Sequence, residues 1–193
     1  DWMPDQQSAF YQQLPFLVAA GRDELGQAWA TLLAGTPGFV QTPNATSLDI
    51  SSQLTAVDPL SSALKPNSAL GLLGIELHTR RRNRVNGVVK NMDRQGFTLS
   101  VTQSFGNCPQ YITTRDWQPA PVHNPKVIRG NSLTADQQLL ISNADTFFIA
   151  SGFEEQGMDA SHRGGQPGFI SVTDEHHLVF PDYAGNNLFN TLG

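Results

Sequence analysis

Apolar positions in the first 110 residues fall in short runs separated by turn-forming residues. The sharpest run alternates Phe97, Leu99 and Val101 with Thr98, Ser100 and Thr102, the period of two of a strand with one face buried. Apolar stretches at 16–20 and 28–34 flank the polar stretch 21–26 and predict a hairpin. Further strands are predicted at 39–42 and 47–51 around Pro43-Asn44, at 71–78, and at 85–92 and 97–105 around a turn at 93–96. Helices are few. One is predicted over 4–14 with Asp5 as its cap, a short one over 58–64 with Pro59 in its first turn, and a third over 132–143, where Thr134 and Gln137 have the spacing of a capping box. A strand at 147–151 follows. Many short strands with frequent turns predict a mainly β fold, an antiparallel barrel or sandwich.

The pattern also repeats. Gly35-Thr36-Pro37-Gly38-Phe39-Val40 matches Gly165-Gln166-Pro167-Gly168-Phe169-Ile170 at an offset of 130, which also places Leu48 on Leu178. Residues 16–21 match 147–152 at 131, so a one-residue deletion is expected between the two blocks. An offset this long indicates a duplicated module rather than a solenoid. The expected organisation is a first module over 1–120, a proline-containing linker and helix over 121–143, and the start of a second, incomplete module over 144–193.

Composition narrows the function classes. Of 193 residues 15% are charged, and the net charge is −5, which argues against general binding to nucleic acid or anionic membranes. The single cysteine, Cys108, excludes an internal disulfide and fits a reducing compartment. No apolar run approaches the roughly 18 residues that span a bilayer, and no basic-then-apolar leader opens the chain. A cytoplasmic protein with no nucleic-acid or membrane partner is expected.

Against this acidic background, Arg80, Arg81, Arg82 and Arg84 hold four of the twelve basic residues in five positions. Like charges at this density repel unless solvated or paired with an anion, so 79–84 is either a solvated hairpin tip or an anion clamp. Ser161, His162 and Arg163 place a hydroxyl, an imidazole and a guanidinium beside Gly164-Gly165, a polar turn or a phosphate-binding edge. At 180–193 a strand end runs into Asn186-Asn187, a start of helix whose free N–H groups attract anions. His176 and His177 are adjacent and point to opposite faces, so no metal site is expected.

These segments carry a family resemblance. Asp159-x-Ser161-x-Arg163-Gly164, then Pro167-Gly168-Phe169, then Pro181-Asp182-x-x-Gly185-Asn186-Asn187 resembles the flavin-nucleotide signature of split β-barrel proteins related to pyridoxamine 5′-phosphate oxidase. In the first module, Gly71-Leu72-Leu73-Gly74-Ile75 resembles the family's central strand and Arg84-Val85-Asn86-Gly87 the strand after it. The resemblance implies a split antiparallel β-barrel that holds FMN, rather than FAD, without a covalent bond. It implies cofactor contacts from Ser161, His162, Arg163, Asp182, Asn186 and Asn187, and from Arg84 and Asn86. Asn186 and Asn187 depart from the oxidase itself, which has basic side chains at the phosphate. Each module carries half of such a site. The implied function is an FMN-dependent oxidoreductase or the electron-transfer head of a larger protein, with a small-molecule redox substrate or electron donor; the alternative is a cofactor-binding module without turnover. A homodimer or a pseudo-dimer of the two modules is implied, and Cys108 is expected to pack beside the flavin.

Overall fold

The computed structural model describes residues 2–120, 127–153 and 156–184. The described fold is mainly β. Its elements in chain order are α1 (Asp5–Gln12), β1 (Phe16–Arg22), β2 (Ala28–Ala34), β3 (Val40–Asn44), β4 (Ser47–Ile50), β5 (Ala69–Glu76), β6 (Arg81–Met92), β7 (Phe97–Asn107), α2 (Ala135–Asn143), β8 (Thr146–Phe153), β9 (Gly157–Gly164), β10 (Ser171–Val172) and β11 (Leu178–Val179). Strands β1 to β7 form one seven-stranded antiparallel sheet in the order β2-β1-β5-β6-β7-β4-β3. Hairpins β8–β9 and β10–β11 are separate two-stranded sheets. Among the described residues no helix is long and apolar enough to cross a membrane.

The central strands are buried on both faces because each faces a different layer. Leu17 and Ala19 of β1, with Leu70 and Leu72 of β5, join Phe10, Tyr11 and Leu14 of the α1 region in the main core. Val18 and Ala20, with Leu73 and Ile75, point the other way and pack against Met158 and Ala160 of β9. Each leucine fully removed from water in this way is worth roughly 1.5–3 kcal/mol. The β8–β9 hairpin therefore lies across the outer face of the sheet. Gly71 permits the close crossing: a Cβ there would sit 2.5 Å from the Met158 carbonyl oxygen and 2.7 Å from the Asp159 Cα.

The hairpins, β5, β7 and α2 lie where the pattern predicts them, and Thr134 and Gln137 form the reciprocal capping box. Three expectations change. Asp5 is the first residue of α1 and not its cap, which falls on Pro4 with no side-chain hydrogen bond. Residues 59–63 form consecutive turns instead of a helix: the Ser61 and Ala63 amides bond back only three residues, to the Asp58 and Leu60 carbonyls, and the Ser61 hydroxyl also donates to the Asp58 carbonyl at 2.7 Å. Strand β6 starts at Arg81 rather than 85, so the arginine cluster is mostly strand and not a hairpin tip. Only Arg80, at φ +60°, stays in the turn.

The repeat is more regular than the sequence match suggests. In the first hairpin Phe16 faces Ala34 and Gly35 donates to the Pro15 carbonyl; in the second Thr146 faces Gly164 and Gly165 donates to the Asp145 carbonyl. All four residues keep one offset of 130. So do the pairs Gln41–Asp49 of β3–β4 and Ser171–Val179 of β10–β11, and the first residues of α1 and α2, Asp5 and Ala135. No deletion is needed. The 131-residue match of 16–21 to 147–152 is an apolar coincidence one residue out of register, which would have put every side chain on the wrong face.

Candidate functional site

A cleft of about 170 Å3 opens where the ends of β6 and β7 meet β9. Strand periodicity decides which arginines reach it. Arg82 and Arg84 alternate onto the face that meets β9 and line the cleft. Arg81 points to the opposite face, its guanidinium 5.2 Å from the Phe10 ring centroid, a cation–π contact. The clamp expected over Arg80 to Arg84 thus reduces to two side chains.

From the second module come His162, Arg163 and Gly164 of β9, with Phe169, Asp182 and Tyr183 beyond it. Gly164 lets Tyr111 approach, since a Cβ there would lie 1.9 Å from the Tyr111 carbonyl oxygen. Tyr111 and Tyr183 stack with ring centroids 5.0 Å apart at the cleft edge, and the Tyr111 hydroxyl donates to the Ala184 carbonyl at 2.8 Å.

Behind the cleft lies a buried polar chain. Arg84 Nη2 donates to Ser161 Oγ at 2.8 Å, and Ser161 Oγ donates to Asp159 Oδ2 at 2.9 Å. Asp159 Oδ2 also lies 3.4 Å from Arg84 Nη1. All three residues are buried, so the ion pair is retained against a large desolvation cost and its side chains are held in one arrangement. In front of it, Arg82 Nη2 donates to the Cys108 carbonyl at 2.6 Å and Nη1 lies 3.1 Å from His162 Nδ1.

Among the described residues the charges do not balance. Arg82, Arg84 and Arg163 line the cleft with one carboxylate, Asp182, and Asp159 lies behind it. Burial, followed by the neighbouring Arg84, pulls the Arg82 guanidinium down to about 10. Burial likewise lowers Arg84 and Arg163, with Asp159 opposing the shift in Arg84 and Asp182 in Arg163. Burial first, then Arg82 and Arg163, pushes the His162 imidazole down to about 3. His162 is therefore neutral at physiological pH. Its Nδ1 then accepts from Arg82, which leaves the proton on Nε2.

Arg82 Nε, Arg84 Nε and Asn107 Oδ1 are buried without a hydrogen-bond partner among the described residues. Orphaned donors on two guanidiniums, in a cleft already rich in positive charge, are the features an oxyanion ligand would satisfy.

Of the residues expected at the site, Arg84, His162, Arg163 and Asp182 line this cleft, and Ser161 stands directly behind Arg84. Asn86 is not part of the wall; its amide donates to Gln103 Oε1 at 3.2 Å. Asn186 and Asn187 lie outside the described residues. Cys108 is exposed at the cleft wall. The sequence pattern named Phe169 only as part of the repeat and the signature, and did not single out Tyr111, Tyr183 or Asn107. For Arg82 a signal existed, because it shares strand phase with Arg84 once β6 is started at 81. Among the described residues no group of three or more His, Cys, Asp or Glu side chains is placed to hold a metal; His177 instead contacts Asp174 at 2.8 Å.

Compared with protein-family models, curated proteins and solved structures, the chain finds no match.

Proposed function

We propose that the cleft between the two modules binds a phosphorylated planar cofactor, flavin mononucleotide, without a covalent bond, and that the protein is a flavin-dependent redox module. The observation that carries this reading is the convergence of Arg82 and Arg84 with His162 and Arg163, side chains of two modules, on one cation-rich cleft with orphaned donors and an aromatic edge. Guanidiniums suit phosphate oxygens because their N–H groups form charge-assisted, often paired hydrogen bonds. The Tyr111–Tyr183 pair and Phe169 offer surfaces to a planar ring. The cleft is smaller than the roughly 300–1,000 Å3 of pockets that enclose a whole small-molecule ligand, so the nucleotide would be gripped at one end and otherwise lie open along the module boundary.

When bound, FMN supplies the electron or hydride chemistry. The chain's own residues would bind, orient and polarise. Arg82 and Arg163 place fixed positive charge beside the cleft, which favours an anionic over a neutral form of whatever lies there. His162, held neutral, offers a hydrogen-bond donor rather than a proton, so it orients a ligand and does not act as a general acid near pH 7. Ser161 and Asp159 hold Arg84. The split barrel, the cytoplasmic location and a pseudo-dimeric use of the two modules belong to this same proposal.

The test is a titration of the purified protein with FMN and with riboflavin, followed by flavin fluorescence. FMN should bind, and riboflavin, lacking the phosphate, at least about tenfold more weakly, which corresponds to about 1.4 kcal/mol. If FMN is not taken up, the reading fails. If both bind equally, the arginines do not serve the phosphate. Bound flavin that is reduced by dithionite but passes electrons to no acceptor would favour a binding module without turnover.

A further inference from the structure

The strict repeat makes the second module a test of what the first one needs. Residues 5–50 and 135–180 share elements and strand register, yet their surfaces differ. Phe10, Leu48 and Ile50 are at most 2% exposed, while their counterparts Leu140, Leu178 and Phe180 are 73%, 44% and 36% exposed. In the first module these positions are covered by β5, β6 and β7: β5 pairs with β1 through Val18–Leu73, and β7 pairs with β4 through Leu48–Leu99. The corresponding segments, 148–150 of β8 and 178–179 of β11, pair with β9 and β10 on one edge, and their other edge pairs with no strand among the described residues.

A third place tells the same story. Strand β9 is buried because β5 and β6 lie against it, whereas Ala28, Ala30 and Leu32 of β2, counterparts of Met158, Ala160 and His162, are exposed. An open cavity of about 480 Å3 lies there, between Thr31, Leu32 and Phe148. Two of its lining residues, Leu32 and Gln53, are the counterparts of His162 and Tyr183 in the arginine cleft, and no β6-like wall closes it.

We propose that the second module is a docking surface for a three-stranded antiparallel β-segment patterned like β5 to β7. One such segment would pair with both free edges, cover Leu140, Leu178 and Phe180, and wall off the cavity at β2. Its first strand would be apolar on both faces, as β5 is, with a small residue beneath Leu140, as Gly74 lies beneath Phe10 and Leu14. A second copy of this chain is not the occupant, because its β5 to β7 are already committed to its own sheet and main core. Unpaired edges and contiguous exposed apolar side chains are what such a partner requires. The inference stands on the repeat and is independent of the flavin reading.

The test appends the chain's own residues 64–107 directly after Gly193, which places every appended residue 130 positions beyond its original. Hydrogen exchange and the fluorescence of an apolar-surface dye are compared with the 193-residue chain. In the extended, monomeric chain the amides of 148–150 and 178–180 should exchange at least about tenfold more slowly, and dye binding should fall. Unchanged exchange, or equal protection from a scrambled extension, overturns the proposal. So does a 193-residue chain that already protects these amides by dimerising. On the unextended chain, Leu140→Asp with Leu178→Asp should leave the melting temperature unchanged and reduce dye binding; a clear loss of stability would mean the face is already packed and would equally overturn it.

Discussion

Strands β2 and β9 occupy the same place in the two halves of the repeat, and they have opposite fates. Ala30-Thr31-Leu32-Leu33 lines the edge of the seven-stranded sheet, with Leu32 58% exposed. Ala160-Ser161-His162-Arg163 crosses the face of that sheet, with His162 4% exposed. The backbone pairing is equivalent. The side chains and the neighbour make the difference: β9 meets Arg82 and Arg84, and β2 meets an open cavity beside Phe148. A duplicated hairpin thus became a cationic cleft wall in one copy and a neutral, uncovered edge in the other. A site of this kind belongs to the contact between modules and to neither module alone.

The largest expected break in this comparison is Asp159→Ala. It strands the buried Arg84 guanidinium, and losing one partner of a buried pair costs about 3–5 kcal/mol, to be read by chemical denaturation. The counterpart Trp29 is partly exposed, and Trp29→Ala should cost clearly less.

The next effect is on pH. Because the imidazole of folded His162 titrates at about 3 and that of the unfolded chain near 6.5, the unfolded chain binds a proton between those values that the native protein refuses. His162 therefore leaves stability intact above about pH 6.5 and withdraws it as pH falls, by up to about 5 kcal/mol. His162→Asn should flatten that part of the stability–pH profile; an unchanged slope would show that His162 does not carry it.

Gly71→Ala should follow, at about 1–3 kcal/mol, because the new methyl meets the β9 backbone, which cannot swing aside. Gly21→Ala is the control: its methyl would meet only the ends of the Leu60 and Leu70 side chains, at 3.2 Å and beyond.

The smallest effect sharpens the site itself. Arg82→Gln and Arg163→Gln should each weaken FMN binding about tenfold, about 1.4 kcal/mol, with little change in melting temperature, whereas Leu32→Ala should not alter it. Equal effects at all three positions would mean that the cleft is not the binding site.

What the sequence by itself determined is local. Short apolar runs between turn residues marked most strands, the Thr134–Gln137 spacing marked the start of α2, and the Gly-x-Pro-Gly-Phe turns revealed the duplication, because each is written within a few neighbouring residues. The helix expected after Asp58 failed where a side chain took a backbone acceptor, as the Ser61 hydroxyl does at the Asp58 carbonyl. The candidate site was legible only in pieces. Ser161, His162, Arg163 and Arg84 stood out as residue types, but nothing in their spacing says that they meet, since residues about 80 apart are joined only by the packing of β9 across β5 and β6. Which arginine turns toward the cleft, which toward Phe10, and which repeat keeps its apolar face bare were decided by tertiary structure. A strand's pattern says that it has two faces, and only its neighbours say what each one meets.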